Sequence, residues 1–171
     1  MKLKKFTTLA MLLALYVVLT IVKPIKLSNF EFTFEGFVLI VTGFIYGPYQ
    51  AVFVGGIGSL LYQIFFSGYP FTATALLWVM PHMIAGLAVG LLAKSKLNKL
   101  EGIAPYVIAA SVTITSTIFN TVAMYLDSII NKYSASYVLI SLPSRIIVAI
   151  ILTVIYGLLL PRLIKSIKKN K

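Results

Sequence analysis

The chain has 171 residues, of which 60% are hydrophobic and 11% are charged, and its formal net charge is +11. Because soluble domains carry about 25% charged residues, this composition predicts an integral membrane protein, and the basic excess is explained by helix ends that contact anionic membrane lipid rather than by nucleic acid. The chain has no cysteine, which excludes disulfides and thiolate sites. It has one His and four acids, and with so few such groups we expect no metal site, no cofactor and no catalytic residues.

The first apolar segment runs from Phe6 to Val22. At about 1.5 Å per residue it is just long enough to cross a hydrocarbon core of about 30 Å. An outer loop from Lys23 to Phe34 follows. In this loop Phe30, Phe32 and Phe34 alternate with polar residues, which indicates a short extended segment with one aromatic face.

The next two apolar segments, Gly36–Tyr46 and Tyr49–Phe66, are separated by the turn signal Gly47-Pro48. We predict a short second helix that returns to the cytoplasm and a third helix that leads outward. The alternative is one long broken helix, which would leave five spans. Five spans would place the basic cluster Lys94–Lys99 and the basic C-terminus on opposite sides, so the charge distribution favours six.

Three more spans are predicted in the second half of the chain. The fourth runs from Thr72 to Ala93 and contains Pro81, which a membrane helix tolerates as a kink. The fifth runs from Ala104 to Leu126, and an outer loop from Asp127 to Ile140 precedes the sixth, from Leu142 to Leu160.

Charge asymmetry predicts the orientation of these spans. All but four of the 15 Lys and Arg residues fall on the cytoplasmic side if the N-terminus is inside. The charges on or near the outer side are Lys23, Lys26, Lys132, Arg145, Glu31, Glu35 and Asp127. The sequence therefore predicts an all-α integral membrane protein with a single domain, residues 1–171. It forms a bundle of six transmembrane helices whose N- and C-termini are cytoplasmic.

Polar side chains in the outer halves of the spans are candidate site residues, because such groups are costly in a membrane unless they face a cavity or a partner. Trp78 and His82 are four residues apart, on one face of the fourth span. Asn120 lies about two turns from the outer end of the fifth span, and Arg145 lies in the first turn of the sixth. Each has a structural alternative: an interfacial belt for Trp78, a bond to a freed backbone carbonyl for His82, inter-helix contact for Asn120 and snorkelling for Arg145.

Together with aromatic outer loops, these side chains predict a small-molecule pocket with apolar walls and a few polar groups. The candidate substrate-binding residues are Glu35, Tyr69, Phe71, Trp78, His82, Asn120 and Arg145. The inner halves of the spans contain no ionisable residue for a proton relay or a coupling ion, and the chain has no Walker motif. We therefore predict a non-enzymatic binding protein that takes its energy from elsewhere. The alternative is a self-sufficient small-molecule permease.

Small residues recur at a spacing of four, as Ala10 with Ala14, Gly43 with Gly47, and Gly86 with Gly90. This spacing makes a flat helix face that allows close approach of another helix. For the glycine pairs we expect packing within the bundle.

Several of these features resemble a known family of transport proteins. The six short spans, the segment Ala10-Met-Leu-Leu-Ala14, and Gly43-Phe-Ile-Tyr-Gly47-Pro48 after a short second helix resemble the S components of energy-coupling factor (ECF) vitamin transporters. Phe119-Asn120-Thr121 and Leu142-Pro143-Ser144-Arg145-Ile146-Ile147 are similar to the folate- and pantothenate-type branch of that family.

The resemblance implies a high-affinity substrate-binding subunit in a bacterial plasma membrane. It would capture a water-soluble vitamin on the outer side. It would then topple and release the vitamin inward when docked on a transmembrane coupling (T) component driven by two cytoplasmic ATPases. The resemblance also implies that Ala10 and Ala14 contact the coupling component, and that the site is built from the outer loops and the outer parts of helices four to six. An anionic vitamin would suit Arg145, so pantothenate is the preferred substrate, with folate or a related compound next.

Overall fold

The computed structural model describes residues 2–22, 26–27, 30–31, 33–68, 71–72, 74–95 and 99–169. The described helices are α1 (Lys2–Ile21), α2 (Glu35–Tyr46), α3 (Pro48–Phe65), α4 (Ala75–Leu92), α5 (Ala104–Ile130) and α6 (Ser136–Lys169). Between α1 and α2, the two-residue strands β1 (Lys26–Leu27) and β2 (Phe30–Glu31) pair antiparallel. The predicted helical class and helix order are thus confirmed, and the predicted extended segment is seen at β2. Phe32 lies outside the described residues.

Among the residues that the structure describes, four helices are long and apolar enough to cross a membrane: α1, α4, α5 and α6. The apolar α2 has 12 residues, which is a length of about 18 Å and too short to span alone. The count of six spans therefore stays a prediction.

The loop between α5 and α6 is shorter than predicted. The fifth helix continues to Ile130 and the sixth begins at Ser136, so most of the predicted outer loop Asp127–Ile140 is helical. The prediction was wrong because the polar residues after Leu126 satisfy each other locally: Asn131 donates its side-chain amide to Asp127 Oδ1 over 2.7 Å, and its backbone N–H to the Asp127 carbonyl over 2.9 Å. Arg145 is consequently the tenth residue of α6 and does not lie in its first turn.

One end of the bundle is marked by basic residues, and we call it the basic end. Lys5 Nζ lies 5.8 Å from the centroid of the Tyr46 ring, and the Cε atom of Lys94 lies 3.6 Å from a Cβ built on Gly47. Gly47 has a φ of +94°, which a glycine tolerates, and this residue ends α2 and starts α3. The opposite end, which holds the α5–α6 loop, is called the distal end.

The short α2 is the central helix of the bundle. It contacts α1, α3, α4, α5 and α6, and its residues from Val38 to Gly43 are all buried. A helix that is apolar on every side belongs in such a core position. Its length is enough to fill only the half of the bundle nearest the basic end.

The N-terminus of α2 consequently lies deep inside the bundle. A Cβ built on Gly36 would lie 3.1 Å from Val112 and 3.3 Å from Tyr156. Val112 is the ninth residue of α5, so it lies about 12 Å along that helix from the basic end. Glu35, which was predicted on or near the outer side, is the first residue of α2 and is partly buried within the bundle.

Glycines bring α3 and α4 into backbone contact. A Cβ on Gly55 would lie 2.5 Å from the His82 carbonyl oxygen, and a Cβ on Gly86 would lie 2.6 Å from the Ala51 carbonyl oxygen. A Cβ on Gly43 would lie 3.2 Å from the backbone of Gly90. Packing within the bundle, as predicted for the glycine pairs, is confirmed at Gly43, Gly86 and Gly90.

Candidate functional site

Trp78 and His82 face the interior of the bundle. They lie on the same stripe of α4 as Ala85 and Val89, which are fully buried, and both are themselves partly buried. The carbonyl oxygen of Trp78 accepts a hydrogen bond from Ser59 Oγ over 3.2 Å. Their position favours a site role over an interfacial belt.

Asn120 also faces the interior. It lies on a stripe of α5 with Ala109, Ser116 and Asp127; Ala109 is fully buried and the other two are partly buried. Within the described ranges, the Asn120 amide has no hydrogen-bond partner. An amide that is half-buried and without a partner can serve a ligand.

Arg145 lies seven residues after Val138 and seven before Leu152, two buried residues that mark the inner face of α6. Its Nη2 atom is 3.0 Å from the sulfur of Met124, which stands one turn beyond Asn120 on α5. A thioether is a weak acceptor, and no carboxylate pairs with Arg145 among the described residues. The guanidinium therefore contacts α5 one turn from Asn120, and most of its donors have no partner among the described residues.

Side-chain exposure along α5 and α6 indicates a hollow in the distal half of the bundle. Inward-facing residues near the basic end are buried: Ile108, Ala109, Val112, Leu152 and Tyr156. Further along the same helices Ser116, Asn120, Ser141 and Arg145 are partly exposed, whereas Ala123, Met124, Ser128 and Val138 are buried. Because α2 begins at the level of Val112, none of the described helices runs through the centre of the bundle beyond it. We infer a space between the helices at this level and call it the distal hollow. Its candidate lining is Trp78, His82, Ser116, Asn120, Ser141 and Arg145.

The floor of the distal hollow is formed where α2 begins. Thr33 Oγ1 donates a hydrogen bond of 2.8 Å to Glu35 Oε1, and the Tyr156 hydroxyl donates one of 3.2 Å to the Thr33 carbonyl. The Tyr16 ring meets the His82 ring edge-on, with centroids 6.0 Å apart. Glu35 is near enough to Tyr16 and Tyr156 to act on both electrostatically.

Sequence reasoning missed Tyr16, Thr33 and Tyr156. The available signal was that Tyr16 and Tyr156 are tyrosines within apolar segments, and a buried Tyr hydroxyl usually finds a partner. The structure brings Asn120 and Arg145 to neighbouring turns, and Glu35 and His82 near Tyr16. Across the part of the chain that is described, no contact joins Trp78 to Arg145. Phe71 is 53% exposed before α4 and outside the hollow, and Tyr69 lies outside the described residues.

The mouth of the distal hollow is braced by Tyr133, in the α5–α6 loop. Its hydroxyl lies 3.0 Å from Asp127 Oδ2 and 3.2 Å from the Met124 carbonyl oxygen, so it can donate to either. Burial, and then the hydrogen bond to Asp127, raise the pKa of Tyr133 to about 12. The phenol therefore keeps its proton, and the brace persists, at neutral pH.

Comparison with known proteins identifies the family. Residues 1–168 match the family model described as "ECF-type riboflavin transporter, S component". The chain belongs to this family. A solved structure described as "Structure and mechanism of the S component of a bacterial ECF transporter" is 21% identical and has a TM-score of 0.68, with 98% of this chain and 99% of that chain covered. No curated protein gives a significant match.

This S component is therefore a multi-pass membrane protein of an ECF vitamin transporter, and it is not an enzyme. The structural likeness supports the fold. The folate- and pantothenate-type branch expected from the sequence is not confirmed, since the matched family is the riboflavin type.

Cavities formed by the described residues of this S component also occur elsewhere, with linings that differ from that of the distal hollow. An apolar groove of about 450 Å³ runs between α5 and α6 and is lined by residues such as Ile114, Ile118, Ile146 and Ile150. A second cavity of about 350 Å³ lies near the basic end, beside Phe37 and Arg162. No predicted substrate-binding residue lines either one.

The face of α1 that carries Ala10 and Ala14 is exposed. Both alanines are exposed, and their neighbours Phe6 and Met11 are 72% and 68% exposed. The opposite face, with the buried Tyr16, packs against α2 and α3. Helix α1 thus presents an apolar surface that the described part of the chain leaves uncovered.

Proposed function

We propose that this S component binds riboflavin in the distal hollow. The observation that carries the proposal is the match of residues 1–168 to the family of riboflavin transporter S components. The chemistry of the hollow supports it. Riboflavin combines a flat tricyclic ring with a flexible chain of hydroxyl groups, and Trp78 and His82 offer flat surfaces while Asn120 and Arg145 offer directed hydrogen bonds.

The candidate substrate-binding residues divide into two groups under this proposal. Trp78, His82, Asn120 and Arg145 line the hollow, and Glu35 lies at its floor. Tyr69 lies outside the described residues and Phe71 is an exposed residue before α4, so a substrate contact by either stays a proposal.

Riboflavin fluorescence provides the binding test, because the isoalloxazine ring is quenched when it stacks on an aromatic residue. Titration of the purified S component into riboflavin is expected to quench the emission to saturation at one ligand per chain. The variant Asn120→Leu is expected to bind roughly tenfold more weakly, because it removes hydrogen bonds without removing volume. Leu158→Ala, on the exposed face of α6, is the matched control and should bind as the wild type does.

Pantothenate is the alternative substrate, since its carboxylate would pair with Arg145. Competition decides between the two vitamins. If pantothenate or folate displaces bound riboflavin at comparable concentration, or binds where riboflavin does not, the riboflavin assignment is wrong.

We further propose that residues 1–171 form one domain with six spans and that the basic end is cytoplasmic. The positive-inside rule supports this orientation. The chain has no cysteine, so single-cysteine variants report topology without background. Ser134→Cys in the α5–α6 loop should react with a membrane-impermeant maleimide in intact cells, and Lys99→Cys should react only after lysis. The reverse pattern would contradict the orientation.

Transport by this S component is proposed to require a T component and two cytoplasmic ATPases, docked through the α1 face at Ala10 and Ala14. The support is the family assignment together with the uncovered apolar face of α1. Expression of the chain in cells that lack those partners should give riboflavin binding without uptake. Uptake by the chain alone would favour a self-sufficient permease.

A further inference from the structure

The Tyr16 hydroxyl is buried and has no hydrogen-bond partner among the residues that the structure describes. The Tyr16 side chain is fully buried between α1 and the rest of the bundle. A buried hydroxyl that gives up water without a replacement partner destabilises the folded state, and native proteins tolerate few such groups. This hydroxyl therefore needs an explanation.

The position of this hydroxyl is fixed by packing. The Tyr16 ring stands edge-on to His82, and a Cβ at Gly58 would collide with it, so the ring has no room to turn away. Tyr16 belongs to the same buried cluster as Tyr156, and Phe34 and Phe37 pack against this cluster, so we take the Tyr16 hydroxyl to lie at the floor of the distal hollow. Tyr156 at the same level is different, because its own hydroxyl donates to the Thr33 carbonyl.

We propose that Tyr16 is a substrate-binding residue whose hydroxyl donates a hydrogen bond to a carbonyl oxygen on the pyrimidine edge of the riboflavin ring. This inference rests on the proposed riboflavin function and adds the ligand's orientation: the ring enters first, and the ribityl chain points toward the distal end. The floor suits the ring because aromatic side chains surround it: His82, Tyr156, Phe34 and Phe37. The polar wall further out, at Asn120 and Arg145, suits the ribityl hydroxyls.

Glu35 complements Tyr16 in this arrangement. The pyrimidine edge of a flavin presents an N–H group between two carbonyl oxygens. A carboxylate has two oxygens, each with two acceptor positions, so Glu35 can accept that N–H while it keeps the bond from Thr33. A donor from Tyr16 and an acceptor from Glu35 match adjacent positions on this edge.

The ligand reaches the floor past the residues that precede α2. Because α2 runs from Glu35 toward the basic end, Thr33 and Phe34 lie on the distal side of the Tyr16 hydroxyl. Both are partly exposed, and Phe34 packs on Tyr156 with ring centroids 6.4 Å apart. The riboflavin ring takes the place of the Phe34 side chain over Tyr156 when it binds.

The variant Tyr16→Phe tests the proposal, because it deletes the hydroxyl and keeps the ring. We expect riboflavin to bind roughly three- to tenfold more weakly, the loss that one neutral hydrogen bond accounts for. We also expect the melting temperature of the ligand-free protein to stay equal or rise, because an unpartnered polar group has been removed. The matched variant Tyr156→Phe should lower that melting temperature, since its hydroxyl has a partner.

Lumiflavin, which keeps the ring and lacks the ribityl chain, tests the orientation. Tyr16→Phe should weaken lumiflavin and riboflavin by the same factor. A loss confined to riboflavin would contradict the ring-first orientation. Unchanged riboflavin affinity, or a ligand-free melting temperature that falls as it does in Tyr156→Phe, would overturn the role of Tyr16 while riboflavin binding by the wild type stands. Absence of riboflavin binding by the wild type would overturn the proposed function and this inference together.

Discussion

Gly55→Ala is expected to destabilise the protein, because it forces two backbones apart. A methyl group at Gly55 would lie 2.5 Å from the His82 carbonyl oxygen and 3.1 Å from Leu39 Cδ2. Carbon and carbonyl oxygen in close contact stand at about 3.3 Å, so α3 and α4 must separate locally by about 0.8 Å. The oxygen belongs to the backbone, and the Leu39 side chain is fully buried, so neither obstacle can move aside freely. Overpacking of this kind costs about 1–3 kcal/mol.

Gly56→Ala is the matched control, one residue along the same helix. A methyl group there would meet only the Met83 side chain, 3.0 Å from Cγ and 3.3 Å from the sulfur. Methionine adapts its rotamers at little cost, and alanine favours a helix over glycine by up to about 1 kcal/mol. We expect this variant to be as stable as the wild type or more stable.

Thermal unfolding in detergent, followed by circular dichroism, measures both variants. In a chain of this length about 1 kcal/mol corresponds to about 2–4 °C. Gly55→Ala should therefore melt about 2–12 °C below the wild type. It should also bind riboflavin more weakly, because the displaced carbonyl belongs to His82. Equal melting temperatures for the two alanine variants would refute the backbone contact between α3 and α4.

Three further predictions concern coupling, substrate contact and the distal brace. Ala14→Trp should abolish ATP-driven uptake by the complete transporter while riboflavin affinity stays unchanged, and Leu158→Trp on exposed α6 should affect neither; equal loss of binding in Ala14→Trp would count against a docking role. Arg145→Gln should weaken riboflavin binding roughly three- to tenfold in a titration, as expected for a lost hydrogen bond, and unchanged affinity would argue for snorkelling. Tyr133→Phe should lower the melting temperature by about 1–4 °C. Because the pKa of Tyr133 is raised, this difference in melting temperature should be constant below a pH of about 10 and vanish as the pH rises through about 12. A difference that already disappears between pH 6 and 9 would contradict the hydrogen bond from Tyr133 to Asp127.

The order of the helices could be predicted from the sequence because apolar segments and helix-breaking residues are local signals. The turn at Gly47-Pro48 and the kink-tolerant helix around Pro81 followed from backbone chemistry. The ends of the helices were harder to predict from the sequence. The polar residues from Asp127 onward suggested a loop, but Asp127 and Asn131 satisfy each other on the helix surface, so α5 continues.

The walls of the candidate site could be predicted in part from the sequence, but its floor could not. A spacing of four put Trp78 and His82 on one face, and the structure shows that this face is internal. Glu35 was expected on or near the outer side because it directly follows the predicted outer loop Lys23–Phe34. Its interior position depends on Thr33 and on the shortness of α2, which only the packed bundle reveals. Tyr16 was overlooked because a tyrosine in an apolar helix is equally consistent with packing in the core and with a role in binding.

Native mass spectrometry of the purified protein mixed with riboflavin, pantothenate and folate at equal concentration shows directly which vitamin binds. We expect one complex, with the mass of one riboflavin per chain, and a smaller fraction of that complex in Asn120→Leu. A complex with pantothenate or folate, or no complex with any of the three, would contradict the riboflavin assignment.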